Sequence, residues 1–217
     1  MLVTAHGGAL GTHRNSKSFF ENISGYAVDV VEVDIWKAGG LLYLSHLPSL
    51  IPSLRLPLSH AFEYIKERGF KINCDVKQRG LVKPVLDLAQ KIGVLPNIIF
   101  TGSVCENDVK DLYAGEVYLN KSFFKLRGTP TLADVSAMKA RIDSFKCERL
   151  KGLNLRFTIC TEEFLAECKK QELPVSVFVV DQKAEMERLS KHPELANITT
   201  NRPDELLTLL GRKIYKD

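Results

Sequence analysis

Short apolar runs recur along the whole chain and alternate with segments of helical periodicity, which is the pattern of repeated strand–helix units. The runs predict strands at Leu2–Ala5, Val30–Ile35, Phe70–Asp75, Ile98–Gly102, Glu116–Leu119, Leu153–Phe157, Val175–Val180 and Ile198–Thr200. The helical patterns between them include Leu81–Ile92, Thr131–Phe145, Thr161–Gln171, Lys183–Lys191 and Pro203–Leu210. Eight such steps predict an α/β fold, a (β/α)8 TIM barrel with one domain over residues 1–217.

The strands favour a parallel sheet with helices on its outside. Runs such as IIF and VSVFVV are almost continuously apolar, as expected of strands that are covered on the outer face. An open doubly wound sheet is the alternative, but the HGGALG segment after the first strand lacks the GxGxxG spacing of a phosphate loop. An extra strand at Leu41–Ser45 is expected to pair with the second strand, and the stretch Pro48–Pro57 to form a loop.

Composition indicates an ordinary folded, soluble protein. The chain is 45% hydrophobic and 26% charged, with a formal net charge of +4 and scattered basic residues, so no nucleic-acid partner is expected. No window approaches about 18 apolar residues, and the start of the chain has no secretory pattern, which predicts a cytoplasmic protein without a membrane span. The five cysteines include no CxxC pair and are interpreted as reduced, buried thiols.

Polar residues end or interrupt the first strands, where a barrel places its active site. His6 follows the first strand, Glu32 and Asp34 lie in the second, His46 follows the extra strand, and Asp75 ends the third. Because the carboxyl ends of parallel barrel strands face one shared mouth, these side chains are expected to meet.

The three carboxylates suggest a divalent metal site. Glu32 and Asp34 are two residues apart, so both side chains lie on the same face of a strand, where they repel each other unless a cation or proton intervenes. Asp75 adds a third oxygen donor from the next strand, which suits Mg²⁺ or Ca²⁺. An Asp–Glu alternation also occurs on exposed edge strands, but the flanking Val33 and Ile35 argue for burial.

Histidine is the natural proton-transfer group near neutral pH, and two beside a metal site can serve as acid and base. His6 and His46 are the candidates, whereas His13, His60 and His192 are interpreted as structural. Lys77 shares the face of Asp75 and is a candidate contact for a phosphate oxygen.

The order of these residues resembles the glycerophosphodiester phosphodiesterase family. The matching segments are TAHGGALGTHRNSKSFFEN, VEVDIWKAGGLLYLSH, KINCDVKQRGLVKPVLDL, VSVFVVDQKAEMERL and NITTNRPDELLTLL, which together span most of the chain. The resemblance implies a (β/α)8 barrel, a divalent metal on Glu32, Asp34 and Asp75, and His6 and His46 as the acid and base, in an order that stays open. It also implies that Lys77 contacts phosphate and that the substrate is a glycerophosphodiester.

The chain departs from the family pattern at four positions. Gly7 replaces the Arg that follows the first histidine, Arg14 stands in place of the Glu of Pro-Glu-Asn-Thr, and Asp75 replaces a Glu. Phe178 occupies a position where many members have Trp, which keeps an apolar wall but removes an N–H donor. Arg14 and Phe178 are therefore expected to contact the substrate, and Arg14 is a candidate replacement for the missing positive charge.

The leading hypothesis is a metal-dependent phosphoric diester hydrolase. Two alternatives remain at the sequence level. One is a non-catalytic barrel that binds a phosphate ligand and has lost turnover together with the family Arg and Glu. The other is a lyase resembling sphingomyelinase D that acts on lysophospholipids. This chain and those lyases both have an Asp at the third metal position and lack the Arg after the first histidine.

Overall fold

A closed barrel of eight parallel strands forms the centre of the molecule in the computed structural model, which describes residues 1–192 and 194–215. The barrel strands are β1 (Leu2–Ala5), β2 (Val30–Ala38), β4 (Lys71–Val76), β5 (Ile98–Gly102), β6 (Glu116–Asn120), β7 (Leu150–Arg156), β8 (Val175–Phe178) and β9 (Leu195–Thr200). The sheet runs in the order β1, β9, β8, β7, β6, β5, β4, β2, and pairing of β1 with β2 closes it. The predicted TIM barrel is therefore confirmed.

Helices cover the outer face of the barrel. They are α1 (Lys17–Ile23), α2 (Leu58–Arg68), α3 (Val82–Ile92), α4 (Glu106–Lys110), α5 (Leu132–Asp143), α6 (Glu162–Lys170), α7 (Lys183–Leu189) and α8 (Pro203–Leu209). Along β2, Val31, Val33 and Ile35 are fully buried in the main core, which includes residues of these helices. The alternate residues of β2, Glu32 and Asp34, line the barrel cavity, as the period of two in a strand requires.

The extra strand lies beside the barrel. β3 (Leu41–Leu44) pairs antiparallel with the end of β2, and Leu44 stands opposite Ile35. This pairing explains why β2 continues to Ala38, beyond the predicted end at Ile35. Residues 46–57 then form the predicted loop, apart from one short 3-10 turn at Pro52–Leu54. β3 thus returns the chain to the end of the barrel where the carboxylates lie.

Some predicted boundaries were wrong by a few residues. β7 begins at Leu150 and β9 at Leu195, three residues earlier than predicted in each case, and β8 ends at Phe178 instead of Val180. Pairing with neighbouring strands sets these ends. β7 begins at Leu150 because Leu150 pairs with Val117 of β6. β8 ends before Val180, whose N–H donates to the Thr199 carbonyl outside the regular ladder of β8 and β9. A single-sequence pattern does not contain that pairing.

The five cysteines are free thiols. Cys74, Cys160 and Cys168 are buried as predicted, whereas Cys105 and Cys147 are partly exposed, so the expectation of burial was wrong for those two. Over the described residues, every helix is too short or too polar to cross a lipid bilayer.

Candidate active site

A cavity of about 530 Å³ opens at the carboxyl ends of the barrel strands. It is lined by all the candidate side chains predicted from the sequence, namely His6, Arg14, Glu32, Asp34, His46, Asp75, Lys77 and Phe178. The prediction that these residues lie together is correct. Their individual roles in binding and catalysis stay predictions.

The three carboxylates come from two adjacent strands. β2 supplies Glu32 and Asp34, and the parallel register with β4 places Asp34 directly beside Asp75. One carboxylate oxygen from each residue lies within 4.8 Å of the other two, and Glu32 and Asp34 are buried. Three convergent oxygen donors with no thiolate form a set that suits a hard divalent cation such as Mg²⁺ or Ca²⁺.

Burial and mutual repulsion make the carboxylate cluster electrostatically unfavourable without a cation. Burial, together with the charges of Asp34 and Asp75, raises the pKa of Glu32 well above its usual range. Burial also raises the pKa of Asp75. Burial opposes ionisation of Asp34 as well, but the charge and hydrogen bond of Lys77, with a further hydrogen bond from Asn15, lower the pKa of Asp34 overall.

The Lys77 ammonium lies between two of these carboxylates. Its Nζ is 2.6 Å from Asp34 Oδ1 and is also hydrogen-bonded to Asp75 Oδ2. Although burial opposes its charge, these two partners raise the pKa of Lys77 above its usual value. Lys77 thus neutralises part of the negative charge of the carboxylate cluster. The predicted contact of Lys77 with phosphate remains untested.

His6 is held by two further polar residues. Asp181 accepts hydrogen bonds from the Asn201 backbone N–H and from Asn201 Nδ2, both at 2.8 Å. This leaves Asn201 Oδ1 facing His6 Nδ1 at 2.8 Å, so the proton of neutral His6 lies on Nδ1 and donates to that oxygen. His6 Nε2 is then unprotonated, 3.8 Å from Glu32 Oε2 at the cavity. Burial lowers the pKa of His6, and the nearby Arg14 charge acts in the same direction.

The second histidine is more accessible. His46 Nδ1 lies 3.4 Å from Asp34 Oδ2, and half of the His46 side-chain surface is exposed, at 50%. The two histidines therefore contact different carboxylates of the same cluster. This arrangement places one buried and one half-exposed histidine at a single cavity.

The backbone of Gly7 lies close to Glu32 on β2. The Gly7 N–H donates to Glu32 Oε2 at 2.8 Å. A Cβ at this position would lie 3.0 Å from the Glu32 carbonyl oxygen, so a larger residue requires the neighbouring strand to shift. Arg14, eight positions from His6 in the chain, instead reaches the cavity from further along the same connection between β1 and α1.

Three polar neighbours of the candidate residues, namely Asn15, Asp181 and Asn201, were not identified from the sequence. Asn15 is buried with a φ of 55°, a conformation that Asn tolerates better than most residues, and it both donates to Asp34 Oδ2 and accepts from the Asp34 N–H. Asp181 and Asn201 follow the last two barrel strands. Polar residues that follow barrel strands face the mouth of the barrel. This rule was applied only to the first strands; applied to the last two strands, it identifies both Asp181 and Asn201.

The far wall of the cavity mixes aromatic and amide side chains. Phe157 and Phe178 supply apolar surface, and Arg156 adds a positive charge from the end of β7. Deeper in the barrel, Asn154 Nδ2 donates to Asn120 Oδ1 at 2.9 Å. A ligand in this cavity would therefore meet carboxylates on one side and an apolar, partly cationic wall on the other.

Gly102 is expected to be required for the position of Asp75. It has a φ of +90°, and a Cβ there would overlap the Asp75 carboxylate and the Val76 carbonyl. Gly102→Ala should lower the free energy of unfolding by about 3 kcal/mol, because steric overlap adds to the cost of about 1–2 kcal/mol for a side chain at positive φ. Denaturant unfolding with a metal-binding measurement checks this.

Gly69→Ala is the matched control. Gly69 ends α2 at a φ of +71°, but no atom lies within 4 Å of the added Cβ. This variant should show only the backbone cost, about 1 kcal/mol, with unchanged metal binding. Equal losses in the two variants would contradict the steric explanation.

Comparison with known proteins extends the likeness at the level of structure. No family model and no curated protein matches the sequence. Among solved structures, a glycerophosphodiester phosphodiesterase from Parabacteroides distasonis superposes with a TM-score of 0.76 at 15% identity, covering 97% of this chain and 96% of that one. A glycerophosphodiester phosphodiesterase from Agrobacterium tumefaciens gives a TM-score of 0.71 at 13% identity, covering 97% and 99%.

A third similar structure contains a bound product. It is an Oleispira antarctica phosphodiesterase in complex with sn-glycerol-3-phosphate, with a TM-score of 0.72 at 16% identity, covering 97% of both chains. At these identities the comparison establishes the fold. The chain thus has the same (β/α)8 barrel, over nearly its full length, as these glycerophosphodiester phosphodiesterases.

Proposed function

We propose that the protein is a divalent-metal-dependent phosphoric diester hydrolase that acts on glycerophosphodiesters. The observation that carries the proposal is the convergence of two histidines on three mutually close carboxylates in one open cavity. The likeness in fold to phosphodiesterases, one of which holds glycerol phosphate, supports the same substrate class.

Each histidine has a role that follows from its surroundings. His6 is neutral with Nε2 unprotonated, so it is the group that accepts the proton of an attacking hydroxyl, either from the substrate glycerol or from water. As the new O–P bond forms and the bond to the departing alcohol breaks, His46 donates a proton to the leaving oxygen. Attack by the glycerol hydroxyl would leave a cyclic phosphate, which water then opens.

Glu32, Asp34 and Asp75 would hold the metal ion. A divalent ion bound there neutralises negative charge on the phosphoryl oxygens. The chain's own cations act on the same oxygens, because Arg14 and Lys77 both line the cavity. Asn15 keeps Asp34 in place through its two hydrogen bonds, and Phe178 supplies apolar surface to one wall of the cavity.

One observation favours a second candidate, a non-catalytic barrel that binds a phosphate ligand. The Lys77 ammonium already neutralises Asp34 and Asp75, which lowers the need for a metal ion in the resting protein. Such a protein would bind glycerol phosphate without turning over any diester.

A substrate panel separates these functions. Purified protein with added Mg²⁺ or Ca²⁺ is expected to hydrolyse glycerophosphocholine or bis(p-nitrophenyl) phosphate and to release a free alcohol. Binding of glycerol phosphate without turnover of any diester would favour the second candidate. Release of a stable cyclic phosphate from a lysophospholipid, with no hydrolysed product, would identify the lyase instead.

Arg14→Gln is expected to raise the KM for a diester by about tenfold, with a smaller effect on kcat. The guanidinium lines the cavity as an exposed cation, so it contributes mainly to binding of the phosphate charge in the ground state. Steady-state kinetics check this.

Arg79→Gln is the matched control, because Arg79 lies on another loop at the same end of the barrel and lines a neighbouring cavity. Its KM should be unchanged. A fall in kcat with constant KM for Arg14→Gln would contradict a role in substrate binding.

A further inference from the structure

A loop beside the cavity exposes an unusual number of large apolar side chains. Four of them, Leu47, Leu50, Ile51 and Leu54, have exposed fractions of 69%, 101%, 55% and 79%. We call residues 46–57 the apolar loop. Single exposed leucines are common on protein surfaces, but a contiguous group normally marks an interaction site.

The apolar loop is fixed at the mouth of the cavity. Its first residue, His46, lines the cavity, and the preceding Ser45 N–H bonds to the Asp34 carbonyl at 3.0 Å. At the other end, the Leu44 N–H donates to the Leu56 carbonyl at 2.8 Å. Whatever covers the apolar loop therefore lies next to the catalytic cavity.

The polar groups of Ser49 bond within the apolar loop and to Tyr43 at its base. The Ser49 N–H donates to the Tyr43 hydroxyl oxygen at 3.2 Å, while the Ser49 hydroxyl oxygen accepts from the Ile51 N–H and from Arg55 Nε. Polar groups thus bond locally and leucine side chains point into water, the reverse of the usual surface pattern. A lipid surface would satisfy this arrangement, because the side chains enter the acyl region while the backbone stays bonded.

Charge around the apolar loop fits an anionic lipid surface. Between Asp34 and Glu63 the sequence contains no acidic residue, whereas it contains Lys37 and Arg55. Anionic headgroups attract cations of this kind within about a Debye length of the surface. The protein as a whole carries a formal net charge of +4.

A second copy of the chain fits the apolar loop less well. A stable interface between proteins involves roughly 20–30 residues on each side with close packing. Four side chains that protrude from one loop do not by themselves supply such a surface. Shallow insertion into a lipid surface needs only a few protruding apolar groups with nearby positive charge.

We propose that the apolar loop docks the mouth of the barrel onto an anionic lipid surface. The evidence for docking comes from the apolar loop alone. The role of docking rests on the proposed function, since docking would bring the phosphodiester headgroups of lipids to the cavity. His46 begins the apolar loop, so a docked protein has its cavity at the level of those headgroups.

The test is sedimentation with vesicles. Wild-type protein should bind vesicles of equimolar phosphatidylcholine and phosphatidylglycerol, and bind vesicles of phosphatidylcholine alone more weakly. Leu50→Ser with Leu54→Ser should weaken binding to the mixed vesicles by about tenfold or more, because two inserted side chains are lost. Hydrolysis of bis(p-nitrophenyl) phosphate should stay at the wild-type rate, which also shows that the variant is folded.

Tyr113→Ser with Leu209→Ser is the matched control. Both residues are exposed apolar side chains, at 43% and 37%, that lie at the opposite end of the barrel, before β6 and at the end of α8. This control should bind vesicles like the wild type.

Three results would overturn the docking proposal: wild-type protein that stays in the supernatant with both vesicle types, equal binding by the Leu50→Ser/Leu54→Ser variant, or a dimer that this variant converts to monomer without any vesicle binding. Vesicle binding without hydrolysis of any diester would instead refute the proposed function and leave the docking in place.

Discussion

His6→Gln is expected to lower kcat for diester hydrolysis by about 10²- to 10⁴-fold, the usual contribution of a general base. Glutamine keeps a polar group near Asn201 Oδ1 but has no nitrogen that accepts a proton at neutral pH. The pH profile of the wild type provides a second check. Because burial lowers the pKa of His6, wild-type activity should fall on the acid side only below the ordinary histidine range, where His6 becomes protonated.

His60→Gln is the control for the loss of a histidine side chain. His60 lies on α2 with its ring centroid 6.0 Å from that of Phe20, and it does not line the candidate cavity. Its kcat should match the wild type. If His6→Gln retained more than about a tenth of the wild-type rate, another residue would have to act as the base, and the assignment of His6 would be wrong.

Removing divalent cations with EDTA is expected to abolish turnover, and added Mg²⁺ or Ca²⁺ should restore it. In the absence of substrate, the same ions should raise the Tm of the wild-type protein by roughly 5–10 °C at an ion concentration about 100 times the Kd. The shift arises because an ion that binds only the folded state stabilises it, and its size follows from the length of the chain. The physical reason is the cluster of Glu32, Asp34 and Asp75, whose buried charges repel one another.

Glu32→Gln tests the metal site independently of catalysis. At neutral pH Glu32 destabilises the metal-free fold, because burial raises the pKa of its carboxyl well above that in the unfolded chain. Neutral glutamine removes that cost, so the metal-free variant should melt at a higher temperature than metal-free wild type. Its Tm should respond weakly to Mg²⁺ or Ca²⁺.

Asp87→Asn is the matched control for this experiment. Asp87 pairs with Lys83 at 2.9 Å on the surface, and its loss should change neither the metal response nor the turnover. The metal site would be refuted if neither ion changed the Tm of the wild-type protein and if turnover continued in the presence of EDTA.

The barrel architecture could be predicted from the sequence because each strand and each helix carries a recognisable pattern of apolar residues. The strand Ile98–Gly102 begins with three successive apolar residues, so both of its faces are apolar there, and helices such as Val82–Ile92 bury one face against the barrel. Ends of elements were less accessible. β2 extends to Ala38 only because β3 folds back and pairs with it, and that contact depends on the hairpin and not on the composition of either strand.

The sequence predicted those residues of the candidate site that lie in or just after a strand. Glu32, Asp34 and Asp75 were identified because alternation in a strand fixes the face on which each side chain lies. Asn15 gave no comparable signal, since its role depends on a loop that turns through a positive φ and brings it to Asp34 from 19 positions away. The pairing of Lys77 with two carboxylates was equally inaccessible, because a lysine near a strand end is usually solvated.

The sequence by itself determined the repeated strand–helix order, the inward carboxylates and the two histidines, because local periodicity and residue chemistry are properties of short segments. Only the tertiary structure decided which groups contact one another. Closure of β1 against β2 and β9 brings Asn201 and Asp181 to His6, although His6 and Asn201 are 195 positions apart in the chain. The proton position on His6, the Lys77 ion pairs and the apolar loop at the cavity mouth all follow from such long-range contacts, which a linear pattern does not contain.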